Sequence, residues 1–219
     1  MNSNELQLAE EVMTYVNDPY GFIMFAFPWG EGVLAGYSGP DKWQTELLTK
    51  IKDVLVNDPF DGFTPVQVRQ FAVTSGHGVG KSALSAMIML WLVSTRPMSK
   101  GVVTANTVSQ LRSKTWAELK KWLNMCITGH WFDYYNSSNT LALRHHDYPN
   151  EWKVEGFTCK EENSESFAGL HERSEERRVG KDCRSRWSRY HEKKKRKEAD
   201  RPSDFHSEAD NDWSYTSLV

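Results

Sequence analysis

Leu6, Ala9, Met13 and Val16 recur at helical intervals through residues 4–17, which predicts a short amphipathic helix. The next stretch, NDPYGFIMFAFPWGEGVLAGYSGP (17–40), loses that period. Pro and Gly punctuate an aromatic run there, and the segment reads as a loop. Asp41, just after Pro40, is placed to cap a second helix over 41–57, whose apolar stripe is Leu47, Leu48, Ile51, Val54 and Leu55. VQVRQFAVTS (66–75) has the β-branched, apolar character of a strand entering a core. It runs into a Gly-rich turn and then ALSAMIMLWLVSTRP, apolar on all sides, which predicts a buried helix stopped by Pro97. GVVTA (101–105) reads as a second buried strand. NTVSQLRSKTWAELKKWLNMC follows as an amphipathic helix with Leu111, Trp116, Leu119 and Leu123 on one side. Two more strands are expected near 140–145 and 152–157. Strands alternating with helices argue for an α/β layered fold built on a parallel sheet.

The turn between the first strand and the apolar helix reads SGHGVGKS, Ser75, Gly76, His77, Gly78, Val79, Gly80, Lys81 and Ser82. Strand, Gly-rich loop and a helix opening at Gly-Lys-Ser is the context that a phosphate-binding loop requires. The glycines let the backbone curl so that successive N–H groups face phosphate oxygens, and the helix start adds its dipole there. Lys81 would bring charge to the β- and γ-phosphates, and Ser82 a hydroxyl to Mg²⁺. One departure stands out: the pattern opens with Gly, and here that position is Ser75. The competing reading is a Gly-rich strand-to-helix turn with an incidental lysine. His77 either overhangs bound phosphates or faces solvent.

Upstream, GPDKWQTELL (39–48) is similar to the adenine-recognising Gln motif of helicases and large terminases. A Gln amide offers a donor and an acceptor that can pair with the N6 and N7 edge of adenine. Gln44 is the candidate for that role, with Trp43 packing beside it. Alternatively, Gln44 is a helix-surface residue and Trp43 its core anchor. Taken with VTSGHGVGKSALSAMIMLWLVSTRP, VVTANTVSQLRSKTWAELKKW and ENSESFAGLH, the order of motifs over residues 20–171 resembles the ATPase half of a bacteriophage large terminase. That resemblance implies an incomplete P-loop NTPase sheet flanked by helices, with ATP and Mg²⁺ as cofactors. It also implies double-stranded DNA, a portal protein and a small terminase subunit as partners, an oligomeric parent, and a place in the bacterial cytoplasm at the procapsid vertex. By the same resemblance Thr104, Asn106 and Thr107 lie near nucleotide or DNA. Capping of the helix that follows is the competing role for them.

Charge divides the chain. Residues 1–171 hold 14 Lys+Arg against 18 Asp+Glu, net −4, which shows no overall basic face for DNA; residues 172–219 hold 13 against 11, net +2. That last stretch is half charged and has few aliphatics. It cannot bury enough apolar surface to offset chain entropy, so a disordered tail is expected. Three regions result: an N-terminal helix and aromatic loop (1–40), a partial P-loop ATPase domain (41–171) and a non-native or disordered tail (172–219). The family's second acidic motif, an apolar run ending in Asp-Glu, would follow FAGLH. HERSEERRVGKDCRSRW stands there instead, so the ATPase is expected to be inactive. RSEERRVGKDCRSRWSRYH (173–191) resembles the translation of a short-read sequencing adapter, from which it differs only at Asp182 and Arg189. A reading frame that passes from terminase into adapter accounts for both the lost motif and the match. Genomic sequence continuous across codons 165–180 would refute it.

The remaining features carry less. Cys126, Cys159 and Cys183 form no CxxC and suggest buried or incidental thiols. Adjacent His145 and His146 on a strand point to opposite faces, which disfavours one shared metal ion. No apolar run approaches the ~18–20 residues needed to span a membrane. KKKRK (193–197) reads either as a nucleic-acid or nuclear-localisation patch or as part of the tail. Two other functional classes stay open: a different P-loop ATPase of helicase or DNA-transposition type, and a non-catalytic nucleotide- or nucleic-acid-binding protein.

Overall fold

The computed structural model of the chain describes residues 3–57, 69–74, 76 and 78–158. The expectations for Ser75, His77, Cys159, Cys183, FAGLH and the 172–219 tail lie outside those residues. Among the described residues the architecture is mixed α/β, with five helical segments around a four-stranded sheet.

Helix α1 (Ser3–Met13) forms, although its buried side differs from the expected one. Val12 is fully buried, whereas Leu6 and Met13 are exposed. The stretch read as an aromatic loop contains helix α2 (Pro19–Ala26). Asp18 caps it by accepting from the Gly21 N–H at 2.9 Å, and Pro19 occupies the first turn, where a missing N–H costs nothing. Phe22, Ile23 and Ala26 then share the inward face. Helix α3 (Lys42–Asn57) buries Leu48 and Ile51 but leaves Val54 exposed. Helix α4 (Lys81–Thr95) is buried from Leu84 to Leu90 without a polar face, as its largely apolar sequence requires, and ends one residue before the Arg96–Pro97 step. Helix α5 is a continuous helical run of Val108–Gln110, a π-helical Leu111–Trp116 and Ala117–Met125.

The sheet order is β1-β4-β3-β2, from β1 (Lys100–Ala105), β2 (Phe132–Asn136), β3 (Leu141–His145) and β4 (Lys153–Thr158). Only β1 and β4 run parallel, with Val103 opposite Gly156; β4, β3 and β2 are successively antiparallel. The expected parallel sheet is therefore a mixed one. The strand expected over 66–75 is likewise absent from residues 69–74. These have no regular structure, and Phe71 and Val73 are 41% and 37% exposed. A strand forms only where a neighbour takes up its N–H and C=O groups, and no described strand pairs with 69–74; β propensity alone does not create one. The strand β2, which the sequence reading missed, pairs in register with β3.

Helices α4 and α5 cover one sheet face. The approach of α5 is close at Gly156, where an added Cβ would meet Leu111, Leu141 and Trp116 side-chain carbons, each at 3.1 Å. The other face carries Arg144 and Lys153, which pair with Glu155 at 3.0 and 2.8 Å. Much of the core is tied together by tryptophans, each burying a ring while its N–H finds a carbonyl. Trp91 donates to Tyr15, Trp116 to Tyr135 and Trp152 to Val93, at 2.8–2.9 Å. Val12, Phe22, Ile23, Ala26, Phe27 and Leu34 belong to the same hydrophobic cluster as α4 and the sheet. Cys126 is buried, and the loss of solvent pushes its thiol up to about 11, so it is a packed rather than a reactive group.

Candidate phosphate-binding site

The Gly-rich turn reaches α4 through left-handed backbone. Gly78 has φ 75° and Gly80, the residue capping α4, has φ 80°. A side chain at either would be strained, which is the physical reason for glycine at these two positions. No side chain caps α4. The Gly80 carbonyl accepts the first intrahelical bond, from Leu84 N–H at 3.0 Å. The N–H groups of Lys81, Ser82 and Ala83 thus head the helix without an intrahelical acceptor, the arrangement that attracts anions at helix N-termini. Lys81 Nζ donates to the Gly76 carbonyl at 2.8 Å, across the mouth of the turn. Ser82 and Val79 are half-buried.

The N-terminus of α3 abuts the turn. Trp43 Nε1 donates to the Val79 carbonyl at 3.1 Å, and Gln44 Nε2 donates to the Gly80 carbonyl at 3.0 Å. Gln44 Oε1 also accepts the Asp41 N–H at 2.9 Å. These partners fix the orientation of the amide, because oxygen must face the N–H and nitrogen the carbonyl. Gln44, read from sequence as an adenine reader, is only 4% exposed, and both ends of its amide hold main chain. The Asp41-to-Gln44 contact is the reciprocal half of a capping box. The D-x-x-Q spacing in the sequence is the signal for it.

β1 follows α4 after residues 96–99 and ends at Ala105. Thr104 is the penultimate residue of that strand and Asn106 lies just beyond it. Thr107 caps the next helix by accepting the Gln110 N–H at 3.1 Å, the competing role weighed for it above. The two histidines of β3 and its end go to different neighbours. His145 stacks on Trp152 at 4.0 Å, while His146 bonds Asp133 Oδ2 at 2.9 Å and the His130 carbonyl at 2.7 Å. An open groove of about 330 Å³ beside Lys120, Asn124, His130 and Phe132 includes no residue of the turn. Among the described residues, no helix is long and apolar enough to cross a membrane. No family model, curated protein or solved structure matches the chain.

Proposed function

We propose that the turn from Gly76 to Ser82 binds the phosphate chain of ATP, and that the chain is the ATPase portion of a phage large terminase. The parent activity would be ATP-driven movement of double-stranded DNA into a procapsid, with portal and small subunit as partners. The observation that carries the nucleotide reading is the start of α4, without a side-chain cap, behind two left-handed glycines, with the Lys81 ammonium on the Gly76 carbonyl of the same turn. Glycine backbone, a helix N-terminus and a lysine at the mouth of the turn suit a polyanion. Ser82 is the hydroxyl that this chain would offer Mg²⁺, whose role is to neutralise charge on the β- and γ-oxygens. The terminase assignment rests on motif order in the sequence. No Asp-Glu pair occurs in the chain, so binding without appreciable turnover is the reading.

Calorimetric titration of the chain with Mg·ATP tests it. Saturable binding is expected, weakened at least tenfold in Lys81→Ala, since hydrogen bonds to charged groups contribute roughly 1.5–3 kcal/mol. Absence of binding, or equal binding by Lys81→Ala, would refute the site. Rapid hydrolysis dependent on Lys81 would refute the inactive reading.

A further inference from the structure

We infer that Trp43 and Gln44 are positioning residues that aim the donor groups of the turn, and that Gln44 acts on the phosphates through the backbone instead of reading the base. The inference rests on the nucleotide reading above and goes beyond it. It follows from the planarity of two peptide units. In a trans peptide the C=O of one residue and the N–H of the next point in opposite directions, and the described chain has no cis bond. The Val79 carbonyl shares its plane with the Gly80 N–H, and the Gly80 carbonyl shares its plane with the Lys81 N–H. Trp43 holds the first carbonyl and Gln44 the second, at 3.1 and 3.0 Å. Both carbonyls accept from α3, so the Gly80 and Lys81 N–H groups are turned away from those donors.

The Gly80 carbonyl is already held by the Leu84 N–H at 3.0 Å, whereas the Val79–Gly80 plane precedes the helix and, beside left-handed glycine, can rotate at little cost. Trp43 removes that freedom before any ligand arrives, and Gln44 adds a second donor to the carbonyl that heads α4. Gln44 is itself held from behind by the Asp41 N–H, so the clamp is anchored to the first turn of α3. Reading adenine would require the amide to release both main-chain partners and leave a site where it is 4% exposed. A clamp on the backbone acts on whatever the backbone binds. Its removal therefore weakens every polyphosphate ligand by the same factor, whatever base it carries.

The test uses the full chain with three probes: Mg·ATP, Mg·GTP and inorganic tripolyphosphate. Trp43→Phe keeps an aromatic ring, though a smaller one, and deletes the N–H. Gln44→Met keeps the length and deletes the amide. Each is expected to weaken all three probes about equally, by roughly tenfold, as the loss of one oriented hydrogen bond implies. In the unmodified chain, the Trp43 indole ¹⁵N–¹H resonance is expected to shift when tripolyphosphate is added, a readout that survives even if the variants do not fold. Selective loss of ATP with GTP and tripolyphosphate retained would establish base reading and overturn the inference. Wild-type affinity in both variants, or an unmoved Trp43 resonance at saturation, would also overturn it. Failure of the unmodified chain to bind any of the three probes would instead overturn the nucleotide reading, and the inference with it.

Discussion

Gly78 and Gly80 have nearly the same backbone angle and different surroundings, so alanine at each separates two effects. Both substitutions force a Cβ into left-handed backbone, at about 1–2 kcal/mol apiece. At Gly78 the new Cβ meets nothing within 4 Å; at Gly80 it falls 2.8 Å from Gln44 Nε2, closer than real Cβ contacts allow. The amide is the end of a flexible side chain, so the overlap itself is relieved by moving it. What cannot be recovered is the 3.0 Å bond to the Gly80 carbonyl, made by a side chain with almost no access to water. Losing it and leaving the buried amide short of a partner costs about 1–3 kcal/mol. Gly80→Ala is therefore expected to destabilise the chain by about 1–3 kcal/mol more than Gly78→Ala. Urea unfolding followed by circular dichroism measures both, and an unchanged denaturant slope shows that the native state is what changed. Combining Gly80→Ala with Gln44→Ala should then cost less than the two separately, because they remove the same contact. Equal midpoints for the two glycine variants, or strict additivity in the cycle, would refute the clamp as a source of stability.

Leu143, fully buried in β3, faces α4 and α5 from the centre of the sheet; Leu143→Ala is expected to cost about 2–5 kcal/mol in the same unfolding assay, and a loss below 1 kcal/mol would show that the sheet is not packed as described. His146 gives the chain a pH dependence of definite sign. Its two ring nitrogens both face acceptors, Asp133 and the His130 carbonyl, and only the imidazolium can donate to both. The Asp133 contact is the main reason its pKa rises above 6.5. The resulting stabilisation is complete below about 6.5, the unfolded value, and is lost as pH climbs through the raised folded value. His145 acts in the opposite sense: burial is the largest influence on it and lowers its pKa, so protonation there opposes folding as pH falls below the unfolded value. Comparing unfolding free energy of the wild type with His146→Asn from pH 6 to 8.5 isolates the first effect. The difference should shrink as pH rises, and a constant difference would refute the imidazolium assignment.

What the amino-acid sequence determined by itself is the set of elements whose signals are local. The unbroken apolar run of α4 and its stop before Pro97, the Leu111–Leu123 stripe of α5, and the Gly-Val-Gly-Lys-Ser turn all follow from periodicity and backbone freedom within a few residues. Tertiary structure decided the rest, because the physics there is non-local. The Phe22–Ile23–Ala26 face made a helix of an aromatic stretch once it had α3 and α4 to pack on. Pairing, absent from any one segment, made β2 a strand beside β3 and left residues 69–74 irregular in spite of their β-branched composition. The site divides along the same line. Lys81 and the glycines are legible because a phosphate turn is a short-range motif. That Trp43 and Gln44 grip its carbonyls from thirty-six residues away emerges only when α3 docks against it.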